Sequence, residues 1–431
     1  MWLVVLCCCV SLTQTAYQNL VVILVDGFAN YYLDHPKVSL SGFDLLAEHG
    51  VKATYLKPEF PTISFPNWYT VVTGLHVEKH GLTGNYMFNR EKNKKFNMAK
   101  WPSDYEPHWW QQTTPVWIAA QQQDVSVSCY WWAGCQVHYP KGTVEDALPY
   151  LGNYEQTLKL PDKFDDVVSK LKQGGKRLLL TYYELVDVVG RQSGPSSKQT
   201  RAAVTEFSGI LKTFQDKLTA HGLWNNTNLV VLSDHGQDQL RKQVFIDHCV
   251  QMNLIELLVD SHALQQVFVK DKSKQELIYT NLTKCLPSEV KVVWRRDLDE
   301  RYHYKNSRFL PDILLISDIN VGVYARSKQF PLYNVEVEKG MHGWDNEEQT
   351  MRAIFLARGP CFKKNVRHRW LRMVDIYQII LHVLEISPSH PHDGQWSYVK
   401  DMFQPCQSSS IASSLVLLQQ WAYISLLMYL L

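Results

Sequence analysis

The chain lacks an excess of charge of either sign. Its 44 lysine and arginine residues nearly balance 42 aspartate and glutamate residues, so the formal net charge of the 431 residues is +2. A nucleic-acid-binding protein usually carries a basic face that neutralises phosphates, and no basic stripe alternates here with aromatic residues. The composition therefore argues against a nucleic-acid partner.

The chain also lacks internal repeats and long linkers. No pattern recurs with a period of about 20 to 50 residues, which argues against a repeat architecture. No long glycine-, serine- or charge-rich stretch divides the chain, and 45% of its residues are hydrophobic. We therefore predict one domain over residues 17–406, with the less regular stretch 237–299 packed as an insertion on the same core.

The first residues lack a lysine or an arginine. Residues 1–16 nevertheless combine an apolar run with small residues that end near Ala16, which is typical of a secretory signal peptide. Cys7, Cys8 and Cys9 would be removed with this segment. The mature chain is then expected to begin near Tyr17.

Cysteine is scarce in the mature chain, but the number that remains is even: Cys129, Cys135, Cys249, Cys285, Cys361 and Cys406. In an oxidising compartment an even number predicts disulfides and leaves the pairing open. Cys129 and Cys135 would close a short loop, and Cys406 is a candidate for a disulfide-linked homodimer. Asn225 and Asn281 begin N-glycosylation sequons.

The end of the chain lacks the basic residues that usually follow a membrane-spanning anchor. Residues 415–431 form an apolar run that only Gln419 and Gln420 interrupt, and small residues at 408–410 precede it. This pattern favours a glycosylphosphatidylinositol (GPI) attachment signal over residues 407–431 rather than a simple tail anchor. The protein is then expected to pass through the secretory pathway and to lie on the extracellular face of the plasma membrane.

Continuous apolar runs alternate with amphipathic stretches along the chain. The runs predict strands at residues 19–25, 176–181, 228–233, 312–317 and 353–357. The amphipathic stretches predict helices at residues 42–50, 199–218 and 375–384. Apolar runs of this kind are typical of strands covered on both faces, and we predict an α/β fold with a mostly parallel central sheet and helices on both faces.

Two prolines, Pro61 and Pro66, bracket Ser64 shortly before a helix predicted to start after Asn67. A proline disfavours the α conformation in the residue before it, so we expect Phe65 to lie outside the helix. A helix N-terminus favours a bound phosphate, and a serine becomes a nucleophile when a base or a metal activates it. Ser64 is therefore the candidate nucleophile, and we expect it to be exposed at the site.

Acidic and imidazole residues follow several of the predicted strands. Asp26, Asp187 and the pair Asp234 and His235 lie after three of them, and His342 lies in a glycine-flanked segment. The carboxyl ends of parallel strands form a ligand crevice, so these side chains are expected to converge. Each alone is a common turn or loop residue, but together with a serine they suit a zinc site.

Five segments resemble the ectonucleotide pyrophosphatase/phosphodiesterase family of the alkaline phosphatase superfamily. They are ILVDGF at 23–28, PEFPTISFPNWYTVVTGLHVEKHGLTGN at 58–85, YYELVDVVGRQSGP at 182–195, SDHG at 233–236 and GMHGWDN at 340–346. The resemblance extends from about residue 19 to near residue 406. It implies an alkaline-phosphatase-like core and a phosphodiesterase catalytic domain.

The resemblance also implies roles for the candidate residues and two zinc sites. The first zinc would be held by Asp26, Ser64, Asp234 and His235. The second zinc would be held by Asp187 and His342 and would activate the leaving oxygen or the hydrolytic water. Asn85 would donate a hydrogen bond to a phosphoryl oxygen, and Ser64 would form a phospho-enzyme that water hydrolyses.

The substrate remains open between three alternatives. The serine at position 64, the NYM segment at 85–87 and the YWWAGC segment at 130–135 are similar to the choline-specific branch, which releases phosphocholine from glycerophosphocholine and lysophosphatidylcholine. For this branch, Tyr86, Trp131 and Tyr182 are candidates for an aromatic cage around the quaternary ammonium. The alternatives are a nucleotide pyrophosphatase/phosphodiesterase and a binding protein without turnover.

One position departs from the family pattern. The family has a histidine four residues after the aspartate that precedes Gly-Pro, whereas this chain has Arg191 at that distance from Asp187. Arginine stays protonated and offers no lone pair to a metal. We predict a weak or absent second zinc and an impaired hydrolase, with Arg191 contacting a phosphoryl oxygen or turning to solvent.

Overall fold

The computed structural model describes residues 17–98, 105–260, 262–326 and 338–406. The predicted signal segment 1–16 and the predicted attachment signal 407–431 lie outside these residues. Among the helices in the described ranges, none has both the length and the apolar character needed to cross a bilayer.

The helices and strands of the described residues are numbered in chain order. The α-helices are α1 Ser41–Glu48, α2 Ser64–Thr73, α3 Val77–His80, α4 Pro107–Trp110, α5 Val116–Gln121, α6 Leu160–Lys172, α7 Leu185–Ser193, α8 Lys198–Ala220, α9 Gln275–Cys285, α10 Ile376–Leu384 and α11 Trp396–Val399. The first ten strands are β1 Asn19–Val25, β2 Val51–Ala53, β3 Leu56–Lys57, β4 Tyr86–Asn89, β5 Lys94–Asn97, β6 Ser126–Tyr130, β7 Ala147–Leu148, β8 Arg177–Tyr183, β9 Thr227–Leu232 and β10 Asp238–Gln239. The remaining strands are β11 Lys242–Phe245, β12 Ile255–Asp260, β13 Leu264–Val269, β14 Val290–Trp294, β15 Ile313–Ser317, β16 Val321–Tyr324, β17 Gly340–Met341, β18 Phe355–Arg358, β19 Val366–His368 and β20 Leu371–Arg372.

An eight-stranded sheet forms the centre of the fold, in the order β19-β2-β18-β9-β1-β8-β6-β7. The strands run parallel except β18, which is antiparallel to both of its neighbours. In register, Leu20 of β1 lies opposite Leu178 of β8 and Asn228 of β9. The predicted α/β fold with a mostly parallel sheet is confirmed.

The central strand β1 is covered on both faces. All of its residues are buried, as expected for an apolar run without alternation. On one side α8 packs with α1, α6 and α7, and a second group contains α2, α5 and α10, of which α10 contacts β1. Side chains that follow β1, β8 and β9 therefore emerge at one edge of a rigid core.

A second sheet lies outside the central one. It is antiparallel, has the order β12-β13-β15-β14, and has a separate hydrophobic core that includes Ile255, Val267 and Ile313. The prediction that residues 312–317 belong to the parallel sheet is therefore wrong. The stretch 237–299 does pack against the main body, where Leu264 contributes to an apolar cluster with Phe60.

Three disulfides join the six cysteines of the described residues: Cys129–Cys135, Cys249–Cys285 and Cys361–Cys406. The first is the predicted short loop. The third corrects the interpretation of Cys406 as a link between chains, because Cys406 is paired with Cys361 of the same chain. It fixes the last described residues to the loop that follows β18.

Candidate functional site

Helix α2 positions the candidate nucleophile. The helix begins at Ser64 itself, not after Asn67, so Phe65 and Pro66 are helical. The prediction for Phe65 is wrong because a proline in the first turn lacks only an N–H group that has no partner inside the helix. Asn67 instead holds the preceding loop, since its side chain accepts from the Glu59 N–H at 2.7 Å and donates to the Ile63 carbonyl at 2.8 Å.

The hydroxyl of Ser64 lies among the predicted metal ligands. Its Oγ is 3.5 Å from Oδ2 of Asp26 and 3.4 Å from Nε2 of His235. Ser64 is only 3% exposed, so the expectation that it is exposed at the site is wrong. The side chain lies at the buried floor of the site, where a reacting group is shielded from bulk water.

Asp26, Asp234 and His235 form the first half of the site. Asp26 directly follows β1, and Asp234 and His235 follow β9, so parallel neighbouring strands bring them together. Nε2 of His235 is 3.4 Å from Oδ1 of Asp26 and 3.5 Å from Oδ2 of Asp234. These groups are close enough to share one ion.

Hydrogen bonds fix the orientation of each ligand in this half. Oδ2 of Asp26 accepts from the Tyr182 hydroxyl at 2.5 Å. Oδ2 of Asp234 accepts from the Trp68 indole at 2.6 Å, and its Oδ1 accepts from the backbone of Gly27 at 3.1 Å. Such outer contacts hold metal ligands in place and raise their affinity for the metal.

The tautomer of His235 directs the lone pair of its Nε2 at the carboxylates of Asp26 and Asp234. Its Nδ1 lies 3.0 Å from the Gly236 carbonyl, which can only accept, so Nδ1 carries the proton. Burial lowers the pKa of His235 to about 4, so the ring is neutral near pH 7. Its unprotonated Nε2 therefore faces Asp26 and Asp234, an arrangement that repels unless a proton or a metal ion lies between the three groups.

The carboxylates of the first half also need a cation. Oδ1 of Asp26 is buried and accepts no hydrogen bond from any described residue. Burial, followed by the charges of Asp234 and Asp187, raises the pKa of Asp26 well above its ordinary value. Burial raises the pKa of Asp234 to about 6, against the hydrogen bonds from Trp68 and Gly27. The donor set thus fits a divalent ion held by two carboxylates and an imidazole.

The second half of the site contains Asp187 on α7 and His342 after β17. Nε2 of His342 is 3.7 Å from Oδ1 of Asp187, and its ring stacks on that of His235 at 3.8 Å. Nδ1 of His342 donates to the Thr62 carbonyl at 3.1 Å, which directs Nε2 inwards. The Thr62 hydroxyl further binds the same loop through the Gly343 N–H at 3.0 Å.

Arg191 lies where the family pattern has a metal-binding histidine, and it is bound to the site itself. Its Nε donates to Oδ2 of Asp187 at 2.6 Å, and its Nη1 donates to Glu338 at 2.9 Å. It is therefore an ion-pair partner rather than a group turned to solvent. Although burial opposes the change, the charge of Arg191 lowers the pKa of Asp187 to about 2.

The other oxygen of Asp187 is also in use. Oδ1 accepts a short hydrogen bond from the amide of Gln237, which also donates to the Asp187 carbonyl at 3.0 Å. A Cβ at position 190 would lie 1.8 Å from Oε1 of Gln237, so Gly190 is required for this approach. Asp187, His235 and His342 are mutually close, but the charge of Asp187 is already neutralised by its ion pair with Arg191. This half does not fit the second metal that the resemblance implies.

The side chain of Asn85 lies against the first turn of α2. Its side-chain oxygen accepts from the Phe65 N–H at 2.9 Å, in the first turn of α2. Because Oδ1 is used in this bond, the amide nitrogen is directed to another acceptor. Asn85 therefore lies next to Ser64 with a donor available for an oxyanion.

Two of the three residues predicted for a choline cage are buried. Tyr182 is 1% exposed, packs on Trp68 with ring centroids 4.4 Å apart, and donates to Asp26. Trp131 is 4% exposed and belongs to the main hydrophobic core. Tyr86 is half-buried and packs against the apolar cluster around Phe268. A cage needs several open aromatic faces, so the described residues give the cage no support, and the roles of Tyr86, Trp131 and Tyr182 in it stay predictions.

Several residues of the site were not predicted. Trp68 lies one helical turn after Ser64, and that spacing would have placed the two on one face had the start of α2 been known. Gln237 follows the Asp-His pair closely in sequence, but its contact with Asp187 depends on the fold. Glu338 lies 147 positions from Arg191, and the sequence contains no signal that links them.

Comparisons with known proteins agree with this arrangement. The sequence profile described as type I phosphodiesterase / nucleotide pyrophosphatase matches residues 20–345, which include every candidate metal ligand. The fold is shared with alkaline-phosphatase-like proteins of this group. The chain belongs to the type I phosphodiesterase / nucleotide pyrophosphatase family.

Individual relatives cover nearly the same length. Human ectonucleotide pyrophosphatase/phosphodiesterase family member 5 is 30% identical over 401 residues, which is 90% of this chain and 79% of that protein. Mouse bis(5'-adenosyl)-triphosphatase enpp4 is 28% identical over 398 residues, 90% of this chain and 82% of that protein. An inactive variant of murine ectonucleotide pyrophosphatase/phosphodiesterase 5 in complex with AMP superposes with a TM-score of 0.81 at 28% identity, covering 90% of this chain and all of that one.

Proposed function

We propose that the protein hydrolyses nucleotide phosphodiesters or pyrophosphates through nucleophilic attack by Ser64. The observation that carries the proposal is the position of Ser64 Oγ at the N-terminus of α2, within 3.5 Å of both Asp26 and His235. A helix N-terminus favours an incoming phosphoryl group, and the surrounding ligand set suits a divalent ion.

The residues of the first half supply the chemistry around Ser64. Asp26, Asp234 and His235 would hold zinc, which when bound lowers the pKa of a coordinated hydroxyl and offsets phosphoryl charge. Ser64 Oγ would lose its proton to solvent and attack phosphorus as the bond to the leaving oxygen breaks, and water would later hydrolyse the nucleotidyl ester of Ser64 to release the nucleoside monophosphate. Asn85 donates to a phosphoryl oxygen whose charge increases in the transition state.

Two lines of support favour nucleotides over choline esters. The relatives above carry nucleotide-hydrolase names, and a solved structure with the same fold is a complex with AMP. In addition, Tyr182 and Trp131 are buried, whereas a cage for a quaternary ammonium group needs open aromatic faces. The nucleotide alternative therefore replaces the choline ester as the preferred substrate class.

The direct test compares substrates on one purified preparation. The protein is incubated with zinc and either the p-nitrophenyl ester of thymidine monophosphate, diadenosine triphosphate or p-nitrophenyl phosphocholine. We expect cleavage of the two nucleotide esters and little release from the choline ester. The reverse preference would restore the choline interpretation, and binding of nucleotide without any cleavage would identify a binding protein.

We also propose that the protein is secreted and held by a lipid anchor on the outer membrane face. The three disulfides support an oxidising compartment. Asn225 is exposed and Asn281 is half-buried, which is compatible with glycosylation at the first of these sites. Phosphatidylinositol-specific phospholipase C should release the protein from intact cells, and recovery of residues 411–431 in the mature protein would contradict the lipid anchor.

A further inference from the structure

The two halves of the site differ in how their acidic groups are neutralised. Asp26 and Asp234 face the lone pair of His235, and no lysine or arginine of the described residues pairs with either of them. Asp187 instead forms a 2.6 Å ion pair with Arg191, and Arg191 is shared with Glu338 at 2.9 Å. An arginine carries its charge permanently and cannot ligate a metal, so it competes with an ion for the same carboxylate.

We infer that this protein has a one-metal centre, in which Arg191 and Gln237 together occupy the place of a second ion. The two side chains divide the oxygens of Asp187 between them, Arg191 on Oδ2 and Gln237 on Oδ1. His342 is then left with a carboxylate partner that Arg191 already neutralises and Gln237 already contacts. The inference rests on the proposed function only for the assumption that the first half binds an ion.

The fold holds this arrangement through a short pair of strands. Gln237 directly precedes β10, Glu338 lies just before β17, and the two strands pair in antiparallel register. The backbone N–H of Lys339 also donates to the Arg191 carbonyl at 2.8 Å. A Cβ at position 340 would lie 2.4 Å from the Gly190 carbonyl, so β17 lies against α7 as closely as glycine allows. Backbone contacts between α7, β10 and β17 therefore fix the positions from which the side chains of Arg191 and Gln237 reach Asp187.

The contact between Gln237 and Asp187 predicts a result for Arg191→His that the loss of a histidine alone does not predict. If only the missing ligand mattered, Arg191→His would be enough to create a second metal site. With Gln237 still in place, its amide lies on Oδ1 of Asp187, the oxygen 3.7 Å from Nε2 of His342, where an ion shared with His342 would bind. A second ion should bind only when this amide is removed as well. Methionine at 237 is similar in length and has no N–H group to donate.

The experiment measures bound zinc per folded chain, independently of activity. Each full-length protein is loaded with zinc chloride, freed of excess metal and analysed by inductively coupled plasma mass spectrometry. We expect one zinc in the natural protein, one in Arg191→His, and two in the double variant Arg191→His/Gln237→Met. Gln192→His serves as the matched control, since it adds an exposed histidine next to an intact Arg191 and should leave the count at one.

Each outcome decides a specific point. Two zincs in the natural protein would overturn the one-metal inference, and no zinc would overturn the metal basis of the proposed function instead. Two zincs in the single variant Arg191→His would show that the Gln237 amide does not prevent a second ion from binding. One zinc in a folded double variant, with folding checked by circular dichroism, would show that Arg191 and Gln237 do not close the second half.

Discussion

The halves of the site around Asp26 and around Asp187 use the same residue types in opposite ways. In the first, the buried Oδ1 of Asp26 accepts no hydrogen bond from the described residues, and the neighbouring imidazole points a lone pair at it. In the second, Asp187 is bound on both oxygens by Arg191 and Gln237. The first half is arranged to bind a cation, whereas the guanidinium of Arg191 supplies the cation of the second half. Ligand identity alone therefore does not define a metal site; the partners of each ligand decide it.

The largest expected effect concerns the nucleophile in the first half. Ser64→Ala should lower the turnover of a nucleotide ester by about 10³-fold or more, because it removes the hydroxyl that lies 3.5 Å from Asp26 and 3.4 Å from His235. Steady-state kinetics of the zinc-loaded protein measures this effect. Unchanged circular dichroism should accompany the loss, since Ser64 contributes little apolar area to the core. Activity retained within tenfold would contradict the assignment of Ser64.

The next effect tests how the first half is supported. Tyr182→Phe removes the hydroxyl that donates to Asp26 at 2.5 Å, and should weaken zinc affinity by about 10- to 100-fold. Tyr183→Phe is the matched control, because the hydroxyl of Tyr183 is buried without a partner among the described residues. Competition with a zinc chelator gives both affinities. Equal affinities in the two variants would show that Tyr182 fills the core without orienting Asp26.

The sequence was informative where local pattern decides structure. The apolar run 19–25 followed by Asp26, and the run 228–233 followed by Asp234, predicted both strands and the ligands at their ends. The run at 312–317 was equally apolar, but it forms an antiparallel strand of the second sheet. An apolar run indicates burial and does not by itself indicate the direction of pairing.

Sequence patterns did not predict which residues form hydrogen bonds or ion pairs with the candidate metal ligands. Arg191 was recognised as a departure from the family pattern, but its ion pair with Glu338 joins residues 147 positions apart. Tyr182 was assigned to a substrate cage because it is aromatic, whereas the fold uses its hydroxyl to orient Asp26. Residue type predicted the ligands, and tertiary contacts determine which of them remain available to a metal.

Removing one carboxylate charge from each half should change the free energy of unfolding differently in the absence of metal. Asp187→Asn should lower the free energy of unfolding by about 2 kcal/mol, because it breaks an ion pair. This is below the loss expected for a fully buried pair, since the Arg191 side chain keeps 30% of its exposure. Asp26→Asn should leave the free energy of unfolding unchanged or raise it by up to about 1 kcal/mol, because it removes a buried carboxylate that has no lysine or arginine partner among the described residues. Urea unfolding in a chelating buffer measures both, and equal losses would contradict the contrast.

The smallest expected effect concerns the outer member of the ion network. Glu338 keeps 25% of its side-chain exposure, so water screens its 2.9 Å contact with Arg191. Glu338→Gln should therefore lower the free energy of unfolding by only about 0.5 to 1 kcal/mol, and zinc content should not change. Lys339→Gln, at the exposed neighbouring position, is the control and should have no effect.

The losses of unfolding free energy in Asp187→Asn and in Glu338→Gln show together which carboxylate is the principal partner of Arg191. If Glu338→Gln destabilises as much as Asp187→Asn, Glu338 rather than Asp187 is the principal partner of Arg191. In that case Asp187 would be available to an ion, and the difference between the two halves would disappear. If only Asp187→Asn has a large effect, Arg191 is held where the second ion would otherwise lie, since Asp187 is the one carboxylate it shares with that site.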